Sequence, residues 1–145
     1  QLLHRDKNIT AYLDFAHAPS KVRATVNAVR ERHPKARLIA CLELHTFSSL
    51  NPAFLPHYRD TLAAADVRIV YYSPHTLMIK KLPELSPELL ADFFNAPDVK
   101  VATTIAGLEQ LVRSAVTSEE TVLLWMSSGR FDDLDIRGIS SSMQG

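Results

Sequence analysis

The sequence predicts a three-layer α/β sandwich built on a mainly parallel sheet. Three observations carry this. Apolar runs at 37–44, 67–72 and 121–126 are nearly unbroken, as strands covered on both faces are. Amphipathic helical stretches separate them, with Val22, Val26 and Val29, or Leu108, Leu111, Val112 and Ala115, recurring on one face. Strand and helix patterns then alternate to residue 126 with no internal repeat, which implies helices on both faces of one sheet. At 145 residues the chain has room for a single domain with a substantial core.

Taken in order, Leu2 to Arg5 and Ile9 to Phe15 read as two strands around the polar turn Asp6-Lys7-Asn8. This N-terminal edge hairpin makes the sheet mixed. In the second strand Ile9, Ala11, Leu13 and Phe15 alternate with Thr10, Tyr12 and Asp14. Pro19 opens a helix that must stop before Pro34, leaving His33 at its end. After the strand from Arg37 to Leu44, Asn51-Pro52 resembles an N-cap followed by a first-turn proline. Phe54, Tyr58 and Leu62 return at intervals of four, which predicts a helix to Ala65, although Pro56 removes a hydrogen bond unless it lies in the first turn. Val67 to Tyr72 is the next strand, and Ser73 to Pro83 reads as a long connection. Ser86-Pro87-Glu88 starts a helix carrying Leu89, Leu90, Phe93 and Phe94, closed by Asn95 and Pro97. Val99 to Thr103 returns as a strand, the helix with Leu108 follows, and Thr121 to Met126 is the last strand. Arg137 to Gly145 is rich in Ser and Gly and has little to bury. The folded unit is therefore set at 1–136 and a flexible tail at 137–145.

Composition narrows the function classes. Sixteen basic residues balance sixteen acidic ones, so no positive field recommends nucleic acid and no basic run recommends a membrane surface. No apolar stretch approaches the ~20 residues of a membrane span, and the N-terminus lacks the build of a signal peptide. The single Cys41 lies inside an apolar run and reads as a buried structural thiol, which fits a reducing cytoplasm. The opening Gln1-Leu2-Leu3 reads like the middle of a strand, so a fragment of a longer protein is expected.

The chemistry concentrates where strands meet helices. Tyr12 to Pro19 brings a carboxylate, Asp14, and an imidazole, His17, to the carboxyl end of a strand beside a helix N-terminus, the place where open α/β sheets bind ligands. A strand-to-helix Asp also serves as turn or cap chemistry. His45 follows the second buried strand at the same end of the sheet. The turn Ser127-Ser128-Gly129 follows the last one, with hydroxyls and backbone N–H groups that suit a carboxylate or peptide group, or simply end the strand. No G-x-x-x-x-G-K-[ST] phosphate loop is present, and the six histidines show no zinc spacing.

Asp14-Phe15-Ala16-His17-Ala18-Pro19 resembles the D-Y-A-H-x-P or D-Y-G-H-H-P signature that opens the C-terminal domain of the Mur ligases, a family that includes the related folylpolyglutamate synthetases. Leu13 stands in place of the first Asp of the D-D-Y/F version, and Ala18 in place of the second His of the H-H-P version. Glu43-Leu44-His45-Thr46-Phe47-Ser48-Ser49-Leu50 resembles the P-H-R-F-T-R-T segment of muramate–alanine members, with Thr46 where Arg is usual. Met126-Ser127-Ser128-Gly129-Arg130-Phe131-Asp132 is similar to the M-S-N-G-G-F segment of members that attach murein tripeptide.

The resemblance implies a Rossmann-like C-terminal domain of an ATP- and Mg2+-dependent, amide-forming ligase of peptidoglycan recycling. By it, Asp14 contacts the ribose of ATP and His17 lies beside the nucleotide, while His45, Ser127, Ser128 and Gly129 face substrate. The implied partners are UDP-N-acetylmuramate, L-alanyl-γ-D-glutamyl-meso-diaminopimelate and the protein's own central and N-terminal domains. Phosphate loop, magnesium ligands and most of the catalytic apparatus belong to the central domain in this family. The 145-residue chain is accordingly expected to hold no catalytic residue and to be inactive alone. The alternatives are another Mur-type ligase, whether a muramate–alanine ligase or a folylpolyglutamate synthetase, and a non-enzymatic α/β binding module.

Overall fold

The computed structural model describes residues 1–143. Six strands form one sheet: β1 (Leu2–Arg5), β2 (Ile9–Asp14), β3 (Arg37–Glu43), β4 (Val67–Tyr71), β5 (Lys100–Ala102) and β6 (Thr121–Met126), in the order β1-β2-β6-β3-β4-β5. β1 runs antiparallel to β2 and every other pairing is parallel, so the expected edge hairpin and mixed, mostly parallel sheet are both present. β2 ends at Asp14, one residue before the expected limit, which leaves Phe15 outside the ladder and 73% exposed.

The unbroken apolar runs are explained by two cores on opposite faces of the sheet. Leu38, Ala40 and Leu42 of β3, with Val122, Leu124 and Met126 of β6, meet Val22 and Val26 of α1 (Pro19–Arg32) on one face. Ile39, Cys41, Leu123 and Trp125 alternate onto the other, against Leu108 and Val112 of the helix Ile105–Ala115. Cys41 is 1% exposed, and burial pushes its thiol well above the ordinary range. The native chain should therefore react with a disulfide reagent at least about a hundredfold more slowly than the denatured chain. Comparable labelling rates in stopped-flow would show that the sheet opens readily.

Three segments depart from expectation, each for a local reason. Asn51 to Ala65 is not a helix: after α2 (Phe47–Leu50) the chain makes a 3-10 turn at Leu55–Tyr58 and further turns. Pro56 has no N–H to continue a helix, and Asp60 turns left-handed at φ 62°, held by Asp60 N–H to Phe94 O at 3.0 Å and Asn95 Nδ2 to Asp60 Oδ1 at 2.8 Å. Leu55, Tyr58 and Leu62 are buried all the same, and Tyr58 stacks on Phe94 at 5.2 Å.

The connection Ser73 to Pro83 contains α3 (Pro74–Ile79), with Ser73 accepting from Thr76 N and Pro74 in the first turn. It is the same cap-then-proline device that opens α4 (Pro87–Phe94). Next comes α5 (Ile105–Ala115), capped by Thr104.

The third departure is at the chain end. Most of the expected tail is helical, as α6 (Ile136–Ser142), capped by Asp135, whose Oδ1 accepts from Gly138 N at 3.0 Å. Ile139 and Met143 bury one face, and Trp125 Nε1 donates to Ser140 Oγ at 3.1 Å. The expectation for Gln144 and Gly145 lies outside the described residues. Among the described residues no helix is long and apolar enough to cross a membrane.

Candidate functional site

The four parallel strands β2, β6, β3 and β4 end side by side. Asp14 pairs with Met126, Leu42 pairs with the same residue across β6, and Glu43 pairs with Tyr71. One carboxyl edge thus carries Asp14, Ser127, Glu43 and Tyr71. β6, the last strand made, fills the gap that the β2–α1–β3 connection leaves, so the chain departs from neighbouring strands in different directions at this edge. Open α/β sheets place their ligand crevice at such points.

Asp14 is half-buried, and its Oδ1 accepts the N–H of Ala16 at 2.7 Å. That bond bends the chain out of β2 toward α1, which has Pro19 in its first turn and no side-chain cap on its N-terminal N–H groups. His17 is exposed, with Nδ1 3.0 Å from Phe15 O, and its own carbonyl accepts from the Tyr58 hydroxyl. Burial pushes the Tyr58 phenol up to about 12, so it remains a donor to that carbonyl. A carboxylate fixed through one oxygen and an open imidazole a few residues further on make a polar lip where α1 begins.

The second half of the edge is a turn tied to β3. Glu43 is only 4% exposed, and its Oε1 accepts both Ser127 Oγ, at 2.5 Å, and Phe131 N–H, at 2.9 Å. Ser127 Oγ in turn accepts from Gly129 N at 2.7 Å. The Ser127 hydroxyl is therefore bonded inside the protein: its residue is 1% exposed and shapes the turn from within. Ser128 and Gly129 are half-buried. A Cβ on Gly129 would stand 3.0 Å from Glu43 Oε1 and from His45 Cδ2, tighter than most Cβ contacts, so any larger residue would have to push those side chains aside by a few tenths of an ångström. His45 is exposed beside it, and Thr46, in the place of the usual Arg, accepts from Ser49 N as the N-cap of α2.

Sequence reasoning included Arg130, Phe131 and Asp132 in the third family-like block but gave the residues just past this turn no role. Phe131, Asp132 and Asp133 all lie in the left-handed region, at φ 50°, 50° and 63°. For non-glycine residues this costs on the order of 1–3 kcal/mol apiece, and it persists only where the surroundings hold it. Here Glu43 holds Phe131 N–H, Tyr71 Oη donates to Asp132 Oδ2 at 2.5 Å, and the Phe131 ring meets Trp125 edge-on at 5.5 Å. Burial first, then the Asp132 carboxylate, pushes the Tyr71 phenol far above its ordinary range, which keeps it protonated as the donor. The turn closes a cavity of about 170 Å3 lined by Glu43, His45, Gly129, Arg130, Asp132 and Asp133. Arg130 and Asp133 face each other across 3.6 Å, both largely exposed. The signal that could have found Glu43 is an acid ending an otherwise apolar strand.

Fold and edge together define an α/β domain on a mostly parallel sheet, with its polar residues gathered at the carboxyl ends of the central strands. No family model matches the chain. It is 35% identical over 124 residues to UDP-N-acetylmuramate–L-alanine ligase of Roseiflexus castenholzii, an alignment covering 83% of this chain and 25% of the relative. In structure it is similar to a murein peptide ligase of Psychrobacter arcticus, with a TM-score of 0.74 at 16% identity, over 100% of this chain and 30% of that one. It is also similar to a single domain from a Haemophilus ducreyi protein assigned as a UDP-N-acetylmuramate:L-alanyl-γ-D-glutamyl-meso-diaminopimelate ligase, with a TM-score of 0.59 at 24% identity, covering 92% of this chain and 91% of that one. The chain belongs to the Mur ligase family, and it spans about a quarter of the length of the curated relatives it matches.

Proposed function

We propose that the chain is the C-terminal domain of an ATP-dependent ligase that joins L-alanyl-γ-D-glutamyl-meso-diaminopimelate to UDP-N-acetylmuramate in the cytoplasm. The observation that carries this is the shared edge: Asp14 at the end of β2, with His17 just past it, lies one strand away from the Ser127–Gly129 turn, which itself packs on Glu43 at the end of the next strand and on His45 just past it. Such an edge suits two ligands meeting side by side.

Asp14 has one oxygen committed to Ala16 N–H, so the other is the acceptor this reading assigns to the ribose hydroxyls, with His17 beside the nucleotide. His45, Ser128 and Gly129 face the incoming amine, and Ser127 holds them in place. ATP, when bound, would activate a carboxylate for attack by that amine. The domain's own part is to orient both ligands and to exclude water as it closes over the rest of the protein. By the family resemblance, Mg2+ is held mainly by the central domain rather than by these residues.

A second reading, a muramate–alanine ligase, is favoured by the 35% identity to an enzyme of that name. The test is a ligation assay on the full-length protein with ATP, Mg2+ and UDP-N-acetylmuramate, offering tripeptide and L-alanine separately. Faster turnover with tripeptide is expected, and the 145-residue chain alone should release no phosphate. A preference for L-alanine would establish the second reading, and ligation of glutamate to a folate would move the chain to the folylpolyglutamate branch. No ligation of any amine would leave a binding module.

A further inference from the structure

Three consecutive L-residues in the left-handed region form a turn that cannot hold itself, and here it is gripped from two neighbouring strands. Glu43 ends β3, Tyr71 ends β4, and the two are partners in register. Glu43 takes the Ser127 hydroxyl and the Phe131 N–H, so it closes the loop at both ends. Tyr71 reaches further along and donates to Asp132. Both anchors are buried, at 4% and 3% exposure, while Arg130, Asp132 and Asp133 line the mouth of the cavity. The turn presents one guanidinium and two carboxylates, so the direction of its backbone decides which charge an arriving zwitterion meets. Freed of an anchor, the residues would relax toward ordinary backbone conformations and redirect those side chains.

We propose that Glu43 and Tyr71 are positioning residues that set selectivity for the incoming amine by fixing this turn, an inference that rests on reading the edge as part of a ligase. Tyr71→Phe keeps the ring in the core and removes only the hydroxyl. In the 145-residue chain it should move the amide resonances of Gly129 and of residues 131–133 while those of β3 and β6 stay in place. In the full-length enzyme it should raise KM for the amine about fivefold, the worth of one hydrogen bond, and leave KM for ATP within about twofold. Glu43→Gln, which still offers a carbonyl to Phe131 N–H, should stay near wild type where Glu43→Ala does not. Unmoved turn resonances in Tyr71→Phe would overturn the inference, as would amine and ATP constants rising together, the mark of a general structural role. A wild-type enzyme that joins no amine would sink the ligase reading and this inference with it. An active wild type with indifferent variants would sink this inference alone.

Discussion

Replacing Trp125 with alanine will destabilise the chain by about 3–5 kcal/mol, the range for removing a large buried aromatic side chain. Trp125 is fully buried at the carboxyl end of β6, touches the Phe131 ring and donates its indole N–H to Ser140 of α6. Its loss opens a cavity on one face of the sheet and leaves the Ser140 hydroxyl without its donor. It is also the only tryptophan, so urea unfolding of the variant must be followed by circular dichroism rather than fluorescence. A loss below about 1.5 kcal/mol, ordinary for a less demanding site, would show that α6 and the 131–133 turn do not rest on it.

Asp14→Ala in the full-length enzyme will raise KM for ATP about tenfold to a hundredfold, matching ~1.5–3 kcal/mol for hydrogen bonds to a charged acceptor. The same side chain also takes Ala16 N–H, so some stability will go with it. Asp14→Asn separates the two roles: it keeps an acceptor for Ala16 and loses the charge. Steady-state kinetics and melting curves on both variants read the difference. An ATP dependence unchanged in the alanine variant would remove Asp14 from the nucleotide, and a melting transition lost in alanine but kept in asparagine would make it a turn anchor only.

The strands were legible because burial on two faces writes itself as continuous apolar sequence, and β6 falls on the expected Thr121–Met126. Helices α1 and α4 were legible from prolines and caps. The expected helix from Asn51 failed because four-residue spacing of Phe54, Tyr58 and Leu62 also suits a chain of turns that buries the same side chains, and Pro56 and Asp60 enforce the turns. α6 was hidden because its stripe, Ile136, Ile139 and Met143, is diluted by serines whose hydroxyls bond within the helix. That Asp14, His45 and the Ser127–Gly129 turn lie along one edge followed from each lying at or just past the end of a strand. Glu43 and Tyr71 were not singled out, because their partners stand 88 and 61 residues away in sequence and nothing local marks the pairing.

The strand order carries a consequence for synthesis. β6 sits between β2 and β3, yet it is the last strand to leave the ribosome. Until residue 126 has emerged, β2 and β3 have no neighbour on their facing sides, and each exposes a full ladder of unpaired amides and carbonyls. The sheet therefore cannot be completed piecemeal as the chain grows. Its closing step must insert an apolar strand into a waiting slot, a non-local event that slows folding and lengthens exposure to aggregation. Chains stalled before residue 121 will be the sticky ones, and chaperone demand should fall once β6 is available.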